Sequence, residues 1–137
     1  MAVNQRWLTD LAAHVASVSG ATLGVGVFYG QAPESYPADS LGVVLVPRPG
    51  GPPDRSAGMR FPSVQIIHRC KAFLTAWEAA VALSAALDIK RPQRLGSAPD
   101  WTLLNRIAAD GEPYVLGQDS NHCWLIASNF TLTLTAA

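Results

Sequence analysis

The chain has 137 residues, 49% of them hydrophobic and 15% charged, which fits one domain over residues 1–137 with a packed core. The formal net charge is zero, and this excludes the strong bulk attraction to nucleic acid or anionic membranes that a basic protein has. The charged fraction is below that of a typical soluble domain, which is common for a surface that meets a partner protein.

The number of cysteines and the length of the apolar runs indicate the cellular compartment of the protein. Cys70 and Cys123 are too few for the disulfide framework of a small secreted domain. The N-terminal stretch includes Asp10 and His14 and does not match a signal peptide, and no apolar run reaches the length of a membrane span. These features predict a soluble intracellular protein without a membrane partner.

The first half of the chain predicts one helix and two strands. Apolar residues recur at three- and four-residue spacing from Trp7 to Val18, which indicates an amphipathic helix that ends at Gly20. The segments "LGVGVFYG" and "LGVVLVP" then predict strands, separated by a proline-containing connection.

A proline- and glycine-rich segment, residues 47–59, follows the second of these strands. Its four prolines and three glycines are expected to prevent both a helix and a sheet ladder. We therefore predict a flexible loop that carries Arg48 and Arg55. Long loops in compact domains are often functional, and the alternative is a linker without a role.

The strongest predicted helix is "KAFLTAWEAAVALSAALD", which directly follows the predicted strand "FPSVQIIHRC". Its bulky residues form a predicted stripe, and alanines fill most of the rest; the stripe is Phe73, Trp77, Val81 and Leu87. A helix that is apolar nearly all round is covered on more than one side. One cover is the sheet, and the other is the first helix or a neighbouring subunit. Trp77 and Trp101 are expected in the core.

The last third predicts mainly extended chain. "RPQRLGSAPD" is interpreted as a loop, "WTLLNRIAAD" as a strand paired with the last one, and "GEPYVLGQDSNH" as a turn with short extended chain. The final strand, Cys123–Thr135, alternates apolar Phe130, Leu132 and Leu134 with threonines. The element order predicts an α+β fold: a small mixed or antiparallel sheet with two helices packed on one face.

The charges are unevenly distributed along the sequence. Residues 48–94 hold eight of the 10 basic residues and three acids, a net charge of plus five, and the rest of the chain is minus five. A subunit with separated charges can pair head to tail with copies of itself. The alternative, which we take as the expectation, is that the two sets interleave in the fold and cancel.

No pattern of catalytic or metal-binding residues stands out. His68, Cys70, His122 and Cys123 lack the spacing of a zinc site, because adjacent residues on a strand point to opposite faces. No serine lies in a nucleophile turn, "GATLGVG" lacks the ending of a phosphate-binding loop, and the acids of "DGE" are expected to be exposed. We predict no enzymatic activity, no metal and no cofactor.

A resemblance to a known family rests on several short motifs in combination. A strand with Val64, Gln65 and Arg69 enters an Ala/Leu-rich helix, and Asn129–Phe130 opens the closing half of the last strand. Between them lies a turn with Pro113, Leu116, Gly117 and Asp119. This order resembles the minor capsid or tail terminator proteins of long-tailed bacteriophages. Asn121–His122 departs from the Gly-Arg that relatives often carry after the turn.

The resemblance implies a structural virion protein located at the neck of the tail and assembled in the host cytoplasm. Such proteins form a ring, usually a hexamer, that caps the head-proximal end of the tail tube and stops its polymerisation. The implied partners are copies of the chain, the major tail tube protein and the head connector or completion protein. No specific nucleic acid is implied, although DNA passes through such a ring. The candidate interface residues are Arg48, Arg55, Arg60, Arg69 and Asp119.

Two alternatives stay open at this stage. One is another neck protein, such as a head-completion or connector protein, or a tail tube subunit. The other is a host ligand-binding domain, which requires polar groups that converge on a pocket. His68, Arg69 and His122 are the candidates for such a pocket.

Overall fold

Two helices and seven strands make up the part of the chain that the computed structural model describes, residues 6–20, 24, 26–33, 36–54, 58–88, 92–95 and 102–135. The order confirms the predicted α+β class. The elements are α1 (Arg6–Ser19), β1 (Val27–Tyr29), β2 (Gly42–Asp54), β3 (Met59–Cys70), α2 (Phe73–Ala86), β4 (Gln93–Leu95), β5 (Thr102–Ala109), β6 (Tyr114–Gln118) and β7 (Trp124–Thr135).

The strands form one mixed sheet in the order β1-β2-β3-β7-β5-β4, with β6 also paired to β7. Strand β1 runs parallel to β2, and the other described pairs are antiparallel. Strand β7 is the centre of the sheet, because β3 follows its whole length on one edge while β5 and β6 share the other. The predicted pairing of β5 with the last strand is confirmed.

Strands β5 and β6 behave as one edge strand with a break. Ala109 is opposite Phe130 and Tyr114 is opposite Ala127, so residues 110–113 bulge out where β7 has two residues. The backbone N–H of Asp110 still donates to the carbonyl oxygen of Asn129, 2.8 Å away. The break therefore holds Gly111, Glu112 and Pro113 outside the ladder, where they form one wall of the candidate site described below.

Both helices cover the same face of the sheet, as predicted. The apolar face of α1 packs on strand residues that share this face, and the C-terminal part of α2 joins the same cluster. Phe130, Leu132 and Leu134 of β7 point into this core, whereas the intervening threonines are half-buried on the opposite face. The alternation predicted for the last strand is therefore confirmed, and Gly20, with a φ of 76°, ends α1 as predicted.

The predicted bulky stripe of α2 is wrong in part. The buried residues of this helix are Ala76, Ala80 and Leu83, and the two alanines pack with Cys70 and Ile126 of the sheet. Leu87 is buried just after the helix, but Trp77 is half-buried and Val81 is 46% exposed. Small side chains allow the helix to approach β3 and β7 closely, which leaves its bulky residues at the periphery.

The loop predicted over residues 47–59 is also wrong as secondary structure. Strand β2 continues to Asp54 and β3 begins at Met59, with Pro47 opposite Val64 and Gly51 opposite Phe61. The prolines are tolerated because β1 pairs with β2 only up to Leu45, so the outer edge of β2 beyond that residue is free of described partners. Register shifts after Arg48 and after Gly51 accommodate the remaining irregularity.

A further correction concerns the segment "RPQRLGSAPD", which was expected to be a loop. Residues Gln93–Leu95 form the short strand β4 against β5. Leu95 is 5% exposed and lies in the core next to the apolar face of α1. One buried side chain in three residues is too little apolar periodicity for sequence reasoning to detect a strand.

Candidate functional site

Two of the five predicted interface residues, Arg69 and Asp119, form an ion pair. Arg69 lies near the end of β3 on the face of the sheet away from the helices, and its side chain is 8% exposed. Its Nε donates to Oδ2 of Asp119 at 2.7 Å. Nη1 of Arg69 is buried and has no hydrogen-bond acceptor among the described residues. The carboxylate of Asp119 is therefore the main compensation for a buried cation.

Asp119 also organises the turn between β6 and β7. Its Oδ1 accepts the backbone N–H groups of Asn121 and Cys123, each at 2.9 Å. Burial by itself raises the pKa of Asp119, but the hydrogen bonds from Arg69 and from these two N–H groups outweigh it and lower the pKa below its usual value. His122, in the same turn, has a φ of 63°, a conformation that few residues other than glycine adopt.

The other predicted interface residues lie far from this pair along the sheet. Arg48 is exposed on β2 opposite Ser63, and Arg60 is half-buried on β3 opposite Leu134. Arg55 lies outside the described residues. The structure thus separates Arg48 and Arg60 from Arg69 and Asp119.

Most of the arginines on the described part of the sheet lie towards one end of β7. Four arginines lie around its C-terminal half, residues 131–135, and we call this the arginine end: Arg48, Arg60, Arg94 and Arg106. Glu112 and Asp119 lie in the segments before and after β6, beside the N-terminal half of β7, whereas the carboxylate of Asp110 accepts a hydrogen bond from Thr131 in the C-terminal half. Because Arg69 pairs with Asp119 and Asp110 lies at the same level of β7 as Arg48, the charges are only partly separated, and the expectation that they interleave stays a prediction.

A groove lies between α2 and the break that separates β5 from β6. Its volume is about 300 Å³, and we call it the α2–β6 groove; its lining residues are Trp77, Val81, Ser84, Gly111, Glu112 and Pro113. Leu74 on α2 and Val115 on β6, the strand that follows the groove wall, are 65% and 44% exposed. The groove thus combines an aromatic ring, aliphatic side chains and an exposed carboxylate.

The strand beside this groove has an open edge. Strand β6 pairs with β7, and no strand within the described ranges pairs with its other side. Tyr114 is held in place because its hydroxyl accepts hydrogen bonds from Gln65 at 3.2 Å and Asn129 at 3.1 Å. Unlike the exposed part of β2, β6 contains no proline that would block pairing. An open, ordered edge with exposed apolar side chains is a surface that favours protein contacts.

The residues considered for a ligand pocket or a zinc site do not converge. His68 and Arg69 are neighbours on β3 and point to opposite faces of the sheet, and His122 is exposed in the turn. Within the described ranges, no group of three or more His, Cys, Asp and Glu side chains is placed to hold a metal ion. None of the described helices has the length and apolar content needed to cross a membrane.

The burial of His68 predicts that the free energy of unfolding decreases in acid. Its ring is 1% exposed, its Nδ1 has no hydrogen-bond partner among the described residues, and burial lowers the pKa of His68 from 6.5 to about 4. The unfolded chain therefore binds more protons than the folded protein between these values, so stability falls as the pH decreases from 6.5 to 4. The difference corresponds to roughly 3 kcal/mol.

Urea unfolding of the wild type and of His68→Leu at both pH values measures this effect. The wild type is expected to lose more stability than the variant, by the amount that His68 contributes. Partial burial also lowers the pKa of His14, but His14 is present in both proteins and cancels in the comparison. Equal losses in the two proteins would contradict the assignment to His68.

Sequence reasoning missed the groove. Trp77 was expected in the core, but it is half-buried and lines the groove, and Trp101 lies outside the described residues. One signal was present: α2 is apolar nearly all round, which indicates a second covered side besides the sheet. The break at residues 110–113 has no sequence signal beyond its turn residues, so the groove wall could not be found.

Comparisons with known proteins find a similar fold among solved structures, but no similar sequence among curated proteins. No protein-family profile matches the chain, and no curated protein matches it in sequence. Among solved structures, the chain is similar to a chain in the virion of a native gene transfer agent particle. The identity is 16% and the TM-score 0.55, over 89% of this chain and 84% of that chain. This likeness shows that the two chains share a fold over most of their lengths.

Proposed function

We propose that the protein is a structural, non-enzymatic component of a virion and acts as a tail terminator. The observation that carries the proposal is the fold likeness to a virion chain over nearly the whole of both chains. The order of sequence motifs, which resembles the tail terminators of long-tailed bacteriophages, supports the specific role. In this role a ring, usually a hexamer in the family, caps the head-proximal end of the tail tube at the neck and stops its polymerisation.

The architecture suits a role that depends on shape. Strand β7 is paired along both edges, and both helices pack on one face, so the subunit has a stable body. The groove beside β6 and the exposed part of β2 lie at opposite edges of the sheet, so this body has more than one surface open to a partner. A cap requires separate surfaces for its own copies, for the tail tube protein and for the head connector.

Electron microscopy of purified protein mixed with tail tubes that were assembled without it tests the proposal. The expected result is a ring at one end of each tube and co-purification of the protein with the tubes. Bare tubes after mixing would contradict the terminator role. In that case, binding to the isolated head connector would assign the protein to the neck as a completion protein.

A further inference from the structure

We propose that the α2–β6 groove of one copy receives the exposed arm of β2, residues Pro47–Pro49, from a second copy of the chain. Arg48 of the arm then faces Glu112 and Glu78 beside the groove. The inference rests on the proposed ring, because it names the surfaces by which neighbouring subunits meet. A repeat of this contact joins the subunits head to tail.

The groove offers both apolar and acidic contacts. Trp77, Val81 and Pro113 line it, and Glu112 lies on its wall. Glu78 is exposed on α2, one turn from Leu74 and Val81, and so lies on the exposed side of the helix. A complementary segment therefore combines a small rigid apolar group with a cation.

The arm has this combination. Pro47, Arg48 and Pro49 are all exposed on β2, beyond the last residue that pairs with β1. Proline rings pack well on an aromatic surface such as Trp77 and lose little conformational entropy on binding. The flanking prolines hold the backbone extended, so that Arg48 projects from a restrained segment.

The positions of the two surfaces favour a second copy over another partner. The arm lies at the edge of the sheet formed by β2, whereas the groove lies beside β6, across β3 and β7 from it. One copy therefore cannot fill its own groove, and contact between opposite edges of two copies leaves a free arm and a free groove. Such heterologous contacts propagate, and they close into a ring when the rotation between neighbouring copies allows it. The prolines lack N–H donors, so side chains and not a continuous sheet form this contact.

Charge supports the same pairing. Arg48 is the exposed cation of the arm, and Glu112 lies on the wall of the groove. When the arm of one copy meets the groove of the next, opposite charges come together. Two copies that met groove to groove would bring the carboxylates of Glu112 and Glu78 into proximity, which is unfavourable.

Charge reversal tests the contact directly. Arg48→Glu and Glu112→Arg are each expected to weaken self-association by about 100-fold or more, because a favourable charge pair becomes a repulsive one. The double variant is expected to regain association. Sedimentation analysis at up to about 1 mM protein detects contacts with a millimolar dissociation constant.

A mixture of the two single variants tests whether residues 48 and 112 of different copies face each other. In this mixture, the unaltered arm of the Glu112→Arg chain meets the unaltered groove of the Arg48→Glu chain. The altered arm of the Arg48→Glu chain meets the altered groove of the Glu112→Arg chain, and these two charges are also opposite. The mixture is therefore expected to associate as the wild type does. Arg106→Glu, at the arginine end but not on the arm, is the matched control and is expected to associate normally.

Three results would overturn the inference: a wild type that stays monomeric at the highest concentration, single variants that associate like the wild type, or a mixture that stays dissociated. Circular dichroism of each variant checks that it is folded, and both altered side chains are exposed. If Arg48→Glu still forms rings on tail tubes as the wild type does, this contact is overturned and the tail terminator role is unaffected. Loss of tube binding by the wild type would instead oppose the role itself.

Discussion

Asp119→Asn is expected to lower the free energy of unfolding by about 3 kcal/mol, because it leaves the buried guanidinium of Arg69 without its carboxylate. The replacement has the same shape, and its side-chain oxygen still accepts the backbone N–H groups of Asn121 and Cys123. The loss therefore reports on the ion pair and not on the turn. Urea unfolding at neutral pH, followed by tryptophan fluorescence, measures it.

Arg69→Met is the control for this prediction. It removes the buried cation but keeps an apolar side chain of similar length, and Asp119 retains two backbone donors and partial access to water. We expect a loss of about 1 kcal/mol, and a similar loss for Arg69→Met combined with Asp119→Asn. If Asp119→Asn were no more harmful than Arg69→Met, the ion pair would not be what stabilises this end of the sheet.

Phe130→Ala is expected to cost about 3–5 kcal/mol of unfolding free energy, since it removes a large side chain from the core and leaves a cavity. Phe130 is fully buried, opposite Val64 on one edge of β7 and Ala109 on the other. Chemical denaturation of the variant measures the loss. The variant also tests the central position of β7, where contacts from both edges meet.

Thr133→Ala is the matched control on the same strand. Thr133 is half-buried on the face without helices, so its loss is expected to be below about 1 kcal/mol. Similar losses for Thr133→Ala and Phe130→Ala would mean that β7 is not oriented with Phe130 towards the helices.

The parts of the fold that sequence analysis predicted correctly have a strong periodic signal. Strand β7 alternates over its whole second half, and α1 repeats its apolar residues at helical spacing up to Gly20. In both cases one face is buried and the other is not, so the spacing of apolar residues in the sequence follows the pattern of burial. The placement of both helices on one face followed from the same reasoning.

The continuation of β2 to Asp54 could not be predicted from local sequence. Proline opposes pairing in the interior of a sheet, and only the position of β2 at an edge makes Pro47 compatible with a strand. The packing of α2 is a similar case. An alanine-rich helix has little periodic contrast, so tertiary packing decided that Ala76 and Ala80, and not Val81, face the sheet.

The candidate site was predicted only as single residues. Arg69 and Asp119 are 50 positions apart, and their ion pair depends on the register between β3 and β7 and on the turn between β6 and β7. The groove depends on the break between β5 and β6, which brings Glu112 next to Trp77. Long-range register of this kind leaves no mark in the spacing of residues along the chain, so it required the structure.

The most direct measurement of the central claim is the length distribution of tail tubes that grow with and without the purified protein. If the protein is a terminator, its addition arrests growth, and every arrested tube carries a ring at one end when viewed by electron microscopy. Tubes that continue to elongate at the wild-type rate, with no density at either end, would contradict the account.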